Sequence, residues 1–327
     1  MRFGILSFIL LLSLSTQAAI YNYDYWWPLE LTRYFQQVNR KTQMSPPAST
    51  GVAEKCGGIY TQAIAKGEMD VRYALGYFDD TQGKEVHFDG RNYGLSPSLD
   101  IAVFHVIRGF MKRPCVNQGQ QICEFAESGN PEQGLVVLSK TIFLDQRPVN
   151  VKMTLTHASA SESFTANKGT LVTRQSQLTR QSEQNFFGAL GRADIVFYNG
   201  HSRNGGGPDF NPPILNRQNK TNYTGHYEVR RDGIKRFLDL MGQSRNPDQV
   251  VGFFSCYSRR HFHRDIMRVN PNQKVILSAD EIDYLDSLLA SMGYLEGFMQ
   301  GRCGQDLADF AKQGAKIQNG FQGYNLR

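Results

Sequence analysis

Two residues with nucleophilic or acid–base chemistry stand at the ends of short apolar runs. Ala193–Tyr198 (ADIVFY) leads through Asn199 and Gly200 to His201, and Gln249–Phe254 (QVVGFF) leads through Ser255 to Cys256. Apolar runs without polar alternation suit strands buried on both faces of a parallel sheet. Open parallel sheets bind their ligands beyond the carboxyl ends of the strands. If the two runs are neighbours, the imidazole and the thiol emerge at one edge. There the imidazole takes the thiol proton and later protonates a leaving group. Gly200 and Gly205–Gly207 around His201 predict backbone open enough for a substrate oxyanion to approach main-chain N–H groups, that of Cys256 among them. Singly, a strand-end His is an ordinary capping residue and a Cys after an apolar strand is ordinary packing. The two together, on successive strand ends with a helix between, point to catalysis.

The elements that must position them follow from periodicity. In the first half the pattern predicts a helix over Tyr25–Val38, a linker at Met44–Thr50, strands Gly58–Ala65 and Met69–Phe78 turning at Lys66-Gly67, a helix Leu99–Met111, a loop at Ser128–Pro131 and a strand Gly134–Leu144. The second half alternates: strand Val149–His157, helix Leu171–Leu190, strand Ala193–Tyr198, helix Arg230–Gly242, strand Gln249–Phe254, helix Arg259–Arg268, strand Lys274–Leu277, helix Ile282–Met299. Such alternation predicts an α/β fold, a mostly parallel sheet with helices on both faces. The division expected is a leader at 1–19, a smaller α+β region at 20–145 without an assigned role, and the α/β unit at 146–327.

Arg2, the apolar run Phe3–Leu14 and the small residues up to Ala18-Ala19 read as a cleaved signal peptide, too short for a comfortable membrane span. The expected location is outside the cytoplasm, periplasmic or secreted, with no transmembrane span in the mature chain. Export changes how the five cysteines read, since thiols pair in oxidising compartments and an odd number leaves one over. Cys115 and Cys123 flank a polar loop they could close, and Cys56 and Cys303 could pair across the chain. Connectivity stays open, as does burial of all five as thiols. Cys256 is the one left free. A net charge of +6 favours acidic surfaces without specifying nucleic acid.

The stretch ADIVFYNGHS followed by QVVGFFSCYS resembles the clan of cysteine peptidases that includes caspases, metacaspases, gingipains, clostripain, legumain and separase. There an apolar strand leads into His, usually His-Gly, and a second leads into a small residue and the nucleophilic Cys. The resemblance runs from Val149 to Arg327, and the spacing of about 55 residues between His201 and Cys256 is near the caspase type. It implies a caspase-like three-layer sandwich, His201 as general acid and base, Cys256 as nucleophile, and a protein or peptide substrate. Ser202 stands where the clan usually has Gly; it keeps the main-chain oxyanion donor and adds a side chain. Ser255 stands for the more usual Ala. Acidic residues near the site bind a basic substrate side chain in several members, which makes Asp280, Glu281, Asp283 and Asp209 candidates for that role. Equally, Ser278–Glu281 reads as a capping box opening the helix from Ile282.

Other chemistries fit less well. His201, His226, His261, His263 and Cys256 lack any CxxC or HExxH spacing, so neither a metal nor a cofactor is expected. The run Arg259, Arg260, His261, His263, Arg264 and Arg268 reads as a solvated helix face that also lowers the Cys256 thiol pKa. With Phe262 its only aromatic, no nucleic-acid partner is expected. The long polar loop carrying Arg217 and Lys220 is a candidate lid or self-cleavage site. The reading reached is an exported cysteine endopeptidase, with a catalytically inactive caspase-like binding protein of the cell envelope as the alternative; the oligomeric state stays open.

Overall fold

The computed structural model describes residues 27–44, 50–78, 85–88, 91–95, 98–117, 119–161, 163–243, 246–312 and 320–326; the leader read at 1–19 lies outside them. Helices α1 (Trp27–Met44), α2 (Val52–Cys56) and α3 (Gly58–Lys66) precede strand β1 (Glu68–Leu75). After a ribbon of β2 (Glu85–Phe88) and β3 (Arg91–Leu95) come α4 (Ser98–Met111), β4 (Ala126–Asn130), β5 (Leu135–Leu144) and β6 (Arg147–Thr156). Then follow α5 (Phe164–Lys168), α6 (Val172–Phe186), β7 (Ile195–Asn199), α7 (Glu228–Arg230), α8 (Asp232–Met241), β8 (Val250–Phe254), α9 (Arg264–Val269) and β9 (Lys274–Ser278). The last elements are α10 (Tyr284–Met299), α11 (Gly304–Ala311) and β10 (Phe321–Tyr324).

Eight strands form one sheet in the order β10-β9-β8-β7-β1-β6-β5-β4. The five from β9 to β6 run parallel, with β10 antiparallel to β9 at one edge and, at the other, β5 antiparallel to β6 and β4 antiparallel to β5. Side chains alternate between faces along a strand, and the buried residues divide accordingly. Ile195, Phe197, Val250 and Phe254 join the core beneath α1, α3, α4, α10 and α11. Val196, Tyr198, Val251 and Phe253 join the core beneath α6, α8 and α9. The result is a three-layer α/β sandwich with a mostly parallel sheet. Truncating a core ring such as Phe197 or Phe253 to alanine costs about 3–5 kcal/mol.

Three expectations change. β1 lies between β7 and β6, so the centre of the sheet and the β4/β5 edge come from residues assigned to the smaller amino-terminal region. Gly58–Ala65 is helical: Ile59, Tyr60 and Ala63 are buried, the one- and four-residue spacing of a helix face, and that packing overrides the strand propensity of Ile and Tyr. Ser128–Asn130 belongs to edge strand β4, which is largely exposed and so carries no apolar signal.

Two disulfides form, Cys56–Cys303 and Cys115–Cys123, leaving Cys256 free. In the loop-entropy account the first, closing 247 residues, contributes on the order of 5 kcal/mol, and the second, closing 8, about half that. Both suit an oxidising compartment. Among the described residues no helix is long and apolar enough to cross a membrane.

The carboxyl end of β6 is tied to α4 through Asp100. Its carboxylate accepts from Ala158 N at 3.0 Å, Ser159 N at 2.8 Å and Ser159 Oγ at 2.7 Å. Complete burial pushes its pKa up from 3.8 to about 7, with the hydrogen bonds from Ser159 and Ala158 pulling the other way. The folded state therefore holds this proton more tightly than the unfolded chain. Its contribution is full below the unfolded pKa and is lost as pH rises through about 7. Urea unfolding across about pH 5 to 8 is expected to show wild type losing a few kcal/mol relative to Asp100→Asn, whose amide oxygen still accepts the two N–H groups. Parallel stability curves for the two proteins would remove Asp100 as the source.

Candidate active site

β7 and β8 pair in register from Ile195↔Val250 to Asn199↔Phe254. The pairing continues one peptide further, where Gly200 N–H donates to the Phe254 carbonyl at 3.3 Å. His201 and Cys256 are each the second residue past that last pair, on strands about 4.8 Å apart. Both line one cavity of about 360 Å³, walled also by Ser202, Tyr257, Glu281, Asp283 and Tyr284. The cavity opens at the carboxyl ends of β7 and β8, the edge where open parallel sheets bind ligands.

His201 is held from β1 and α10. Its Nε2 makes a short contact to the carbonyl oxygen of Phe78, just past β1, and lies 3.3 Å from the Tyr284 hydroxyl. A carbonyl only accepts, so Nε2 carries the proton in the neutral ring and Nδ1 carries the lone pair. The Phe78 ring meets the imidazole edge-on at 6.2 Å between centroids. Beneath them Asn199, the last residue of β7, donates to Tyr73 Oη at 2.9 Å and accepts from Ser287 Oγ at 3.0 Å. This buried network fixes α10 against the strand that carries His201.

Cys256 sits in the sharp turn from β8 into one π-helical turn, Arg259–His263, that opens α9. Tyr257 takes a left-handed conformation (φ 50°), uncommon for an aromatic residue, with its N–H donating to Asp280 O at 2.9 Å. Ser258 Oγ staples the turn, donating to Phe253 O at 3.0 Å and accepting from Ser278 N at 2.7 Å. The half-buried Cys256 thiol donates to Ile282 O at 3.4 Å. Burial is the main reason its pKa is raised, and the charges of Glu281 and Asp283 push it up further. The basic run does not depress this thiol. Three of its members are engaged elsewhere: Arg259 bonds Gln322, Arg268 pairs with Asp265, and His263 packs on Tyr324 at 4.3 Å. The thiol is thus neutral at neutral pH and needs a base to ionise.

Of the acidic candidates, only Glu281 and Asp283 line the cavity. Asp283 also caps α10, accepting from Asp286 N at 2.7 Å. The cap therefore falls five residues beyond Ser278, because 279–283 is not helical and passes beside the site. Ser278 Oγ instead bonds the Asp280 main chain. Asp209 faces a different cavity, its carboxylate 3.4 Å from the buried Arg203 and 3.1 Å from Tyr227 Oη. Ser202 is buried with φ −71° and ψ −13°, right-handed values open to any residue. The following glycines serve close packing, not access: a Cβ on Gly206 would lie 2.7 Å from Tyr227 O, and one on Gly207 2.9 Å from His201 O. Among the described residues no cluster of three or more His, Cys, Asp or Glu is placed to hold a metal ion.

Sequence reasoning missed Phe78, Tyr284 and the Asn199–Ser287 link. Phe78 acts through its main chain and leaves no signal; the Asn closing an apolar strand was the available clue to the third. Compared with known proteins, the chain matches no family model, no curated protein and no solved structure.

Because Glu281 and Asp283 oppose ionisation of Cys256, Glu281→Gln/Asp283→Asn is expected to speed iodoacetamide alkylation at neutral pH by about threefold, a modest change in thiolate fraction. Asn keeps the helix cap, so thermal stability should hold. Unchanged alkylation would show that solvent screens both carboxylates from the sulfur.

Proposed function

We propose that this protein is an exported cysteine endopeptidase in which His201 and Cys256 form a catalytic dyad of the caspase–gingipain type. The observation that carries the reading is the equivalence of the two residues: same register position beyond adjacent parallel strands, same cavity, and Cys256 the one cysteine outside a disulfide. His201 takes the thiol proton, and the Cys256 sulfur attacks the peptide carbonyl. The oxyanion is met by main-chain N–H groups of Cys256 and Ser202. His201 then protonates the leaving amine, and water hydrolyses the thioester. Glu281 and Asp283 in the wall support a Lys or Arg side chain before the scissile bond. Paired cysteines support export.

A second reading, a catalytically inactive binding protein of the same architecture, is favoured by the thiol's bond to Ile282 O and its raised pKa. A peptidyl acyloxymethyl ketone with Arg or Lys beside the warhead separates the two. The peptidase reading expects an adduct at Cys256 by mass spectrometry, lost in Cys256→Ala and slowed about 10²–10⁴-fold in His201→Ala. Folded protein left unlabelled by Arg, Lys, Asn and Asp probes would establish the binding reading instead.

A further inference from the structure

The geometry points to Tyr284 as a positioning residue for His201, an assignment that rests on the dyad reading above. Three observations converge on it. Its hydroxyl lies 3.3 Å from Nε2, the nitrogen already in contact with the Phe78 carbonyl. Its ring packs on the Phe78 ring at 4.8 Å between centroids, so the two groups facing Nε2 brace each other. Its backbone is the first residue of a helix fixed at that point, by the Asp283 cap and by Ser287 Oγ, which donates to both Tyr284 O and Asn199 Oδ1 at 3.0 Å.

The chemistry follows from the donor count. Nε2 bears one proton, which the Phe78 carbonyl and the Tyr284 oxygen share as acceptors. That arrangement keeps the neutral ring protonated at Nε2, with the Nδ1 lone pair as its basic site. When the Cys256 S–H proton moves to Nδ1, sulfur keeps the bonding pair as thiolate and the ring becomes a cation. The Nε2–H then donates more strongly to both acceptors. Tyr284 neither gives nor takes a proton in this step; the Phe78 carbonyl sets which nitrogen is basic, and Tyr284 restrains the ring as a second partner of Nε2. The segment that carries it also supplies Ile282 O to the resting thiol, so one short stretch at the start of α10 touches both members of the pair.

The test compares wild type with Tyr284→Phe, which keeps the ring against Phe78 and removes the hydroxyl. It uses the full disulfide-bonded chain, with ¹⁵N-labelled histidine and near-ultraviolet circular dichroism to confirm folding. Two quantities are read: the ring ¹⁵N shifts of His201, which report the tautomer, and the inactivation rate and affinity of an arginyl acyloxymethyl ketone at Cys256. In wild type the shifts should show Nε2 protonated and Nδ1 not. In Tyr284→Phe the ring should stay protonated at Nε2, because Phe78 remains, while the Nε2 shift moves toward that of a weaker hydrogen bond and the maximal inactivation rate falls about tenfold with probe affinity unchanged. Either readout staying at its wild-type value in folded Tyr284→Phe overturns the assignment. If the wild type is not labelled, the hydrolase reading alone has failed; iodoacetamide, whose reaction also requires loss of the thiol proton, then replaces the ketone and the same comparison decides.

Discussion

The parallel pairing of β7 with β8 outlasts the strands by one peptide, and the Gly200–Phe254 hydrogen bond that extends it sets the relation between His201 and Cys256. Side chains alternate along a strand, so a slip of one residue would send one of the two to the opposite face of the sheet. The register is protected by the residues behind it. Ile195 to Tyr198 and Val250 to Phe254 are all buried, and each can only exchange faces by placing aromatic rings where the other layer of helices stands. Core packing on both sides of the sheet is thus what holds two polar side chains on one side of its edge.

The third wall of the site comes from farther away in the chain. The chain just past β1 supplies the Phe78 carbonyl, and the start of α10 with the residues before it supplies Ile282, Asp283 and Tyr284. Both are bound to the β7 strand end by Tyr73, Asn199, Ser287 and Ser291, polar side chains sunk in an otherwise apolar layer. Buried groups of this kind are costly unless satisfied, and Tyr73 and Asn199 find their partners across β1, β7 and α10. The network therefore favours one arrangement of the three elements over looser packings that would bury the same apolar area.

Much of this was legible from the residues. The apolar runs before His201 and Cys256 were unmistakable as buried strands, and their equal offset from the strand ends was countable. The acidic stretch Asp280–Asp283 was visible too, but not which of its members faces the cavity, since that depends on how the chain bends after β9. Asp209 lay close to His201 in sequence, and only the burial of Arg203 shows why that carboxylate is committed elsewhere. The centre of the sheet was hidden for a topological reason. Nothing in Glu68–Leu75 says that it inserts between two strands, β6 and β7, that both come more than seventy residues later in the sequence. Helix α3 was hidden because its buried residues are also good strand formers.

The bond between Cys56 and Cys303 makes the intervening chain a covalent ring, and both β7 and β8 lie within it. So does the polar loop around the Leu215–Thr221 bridge, between the two site-bearing strands. A single cut in that loop opens the ring without dividing the molecule. The His201 segment and the Cys256 segment would stay joined through the sulfur bridge, and a nicked chain would separate into two pieces only after reduction.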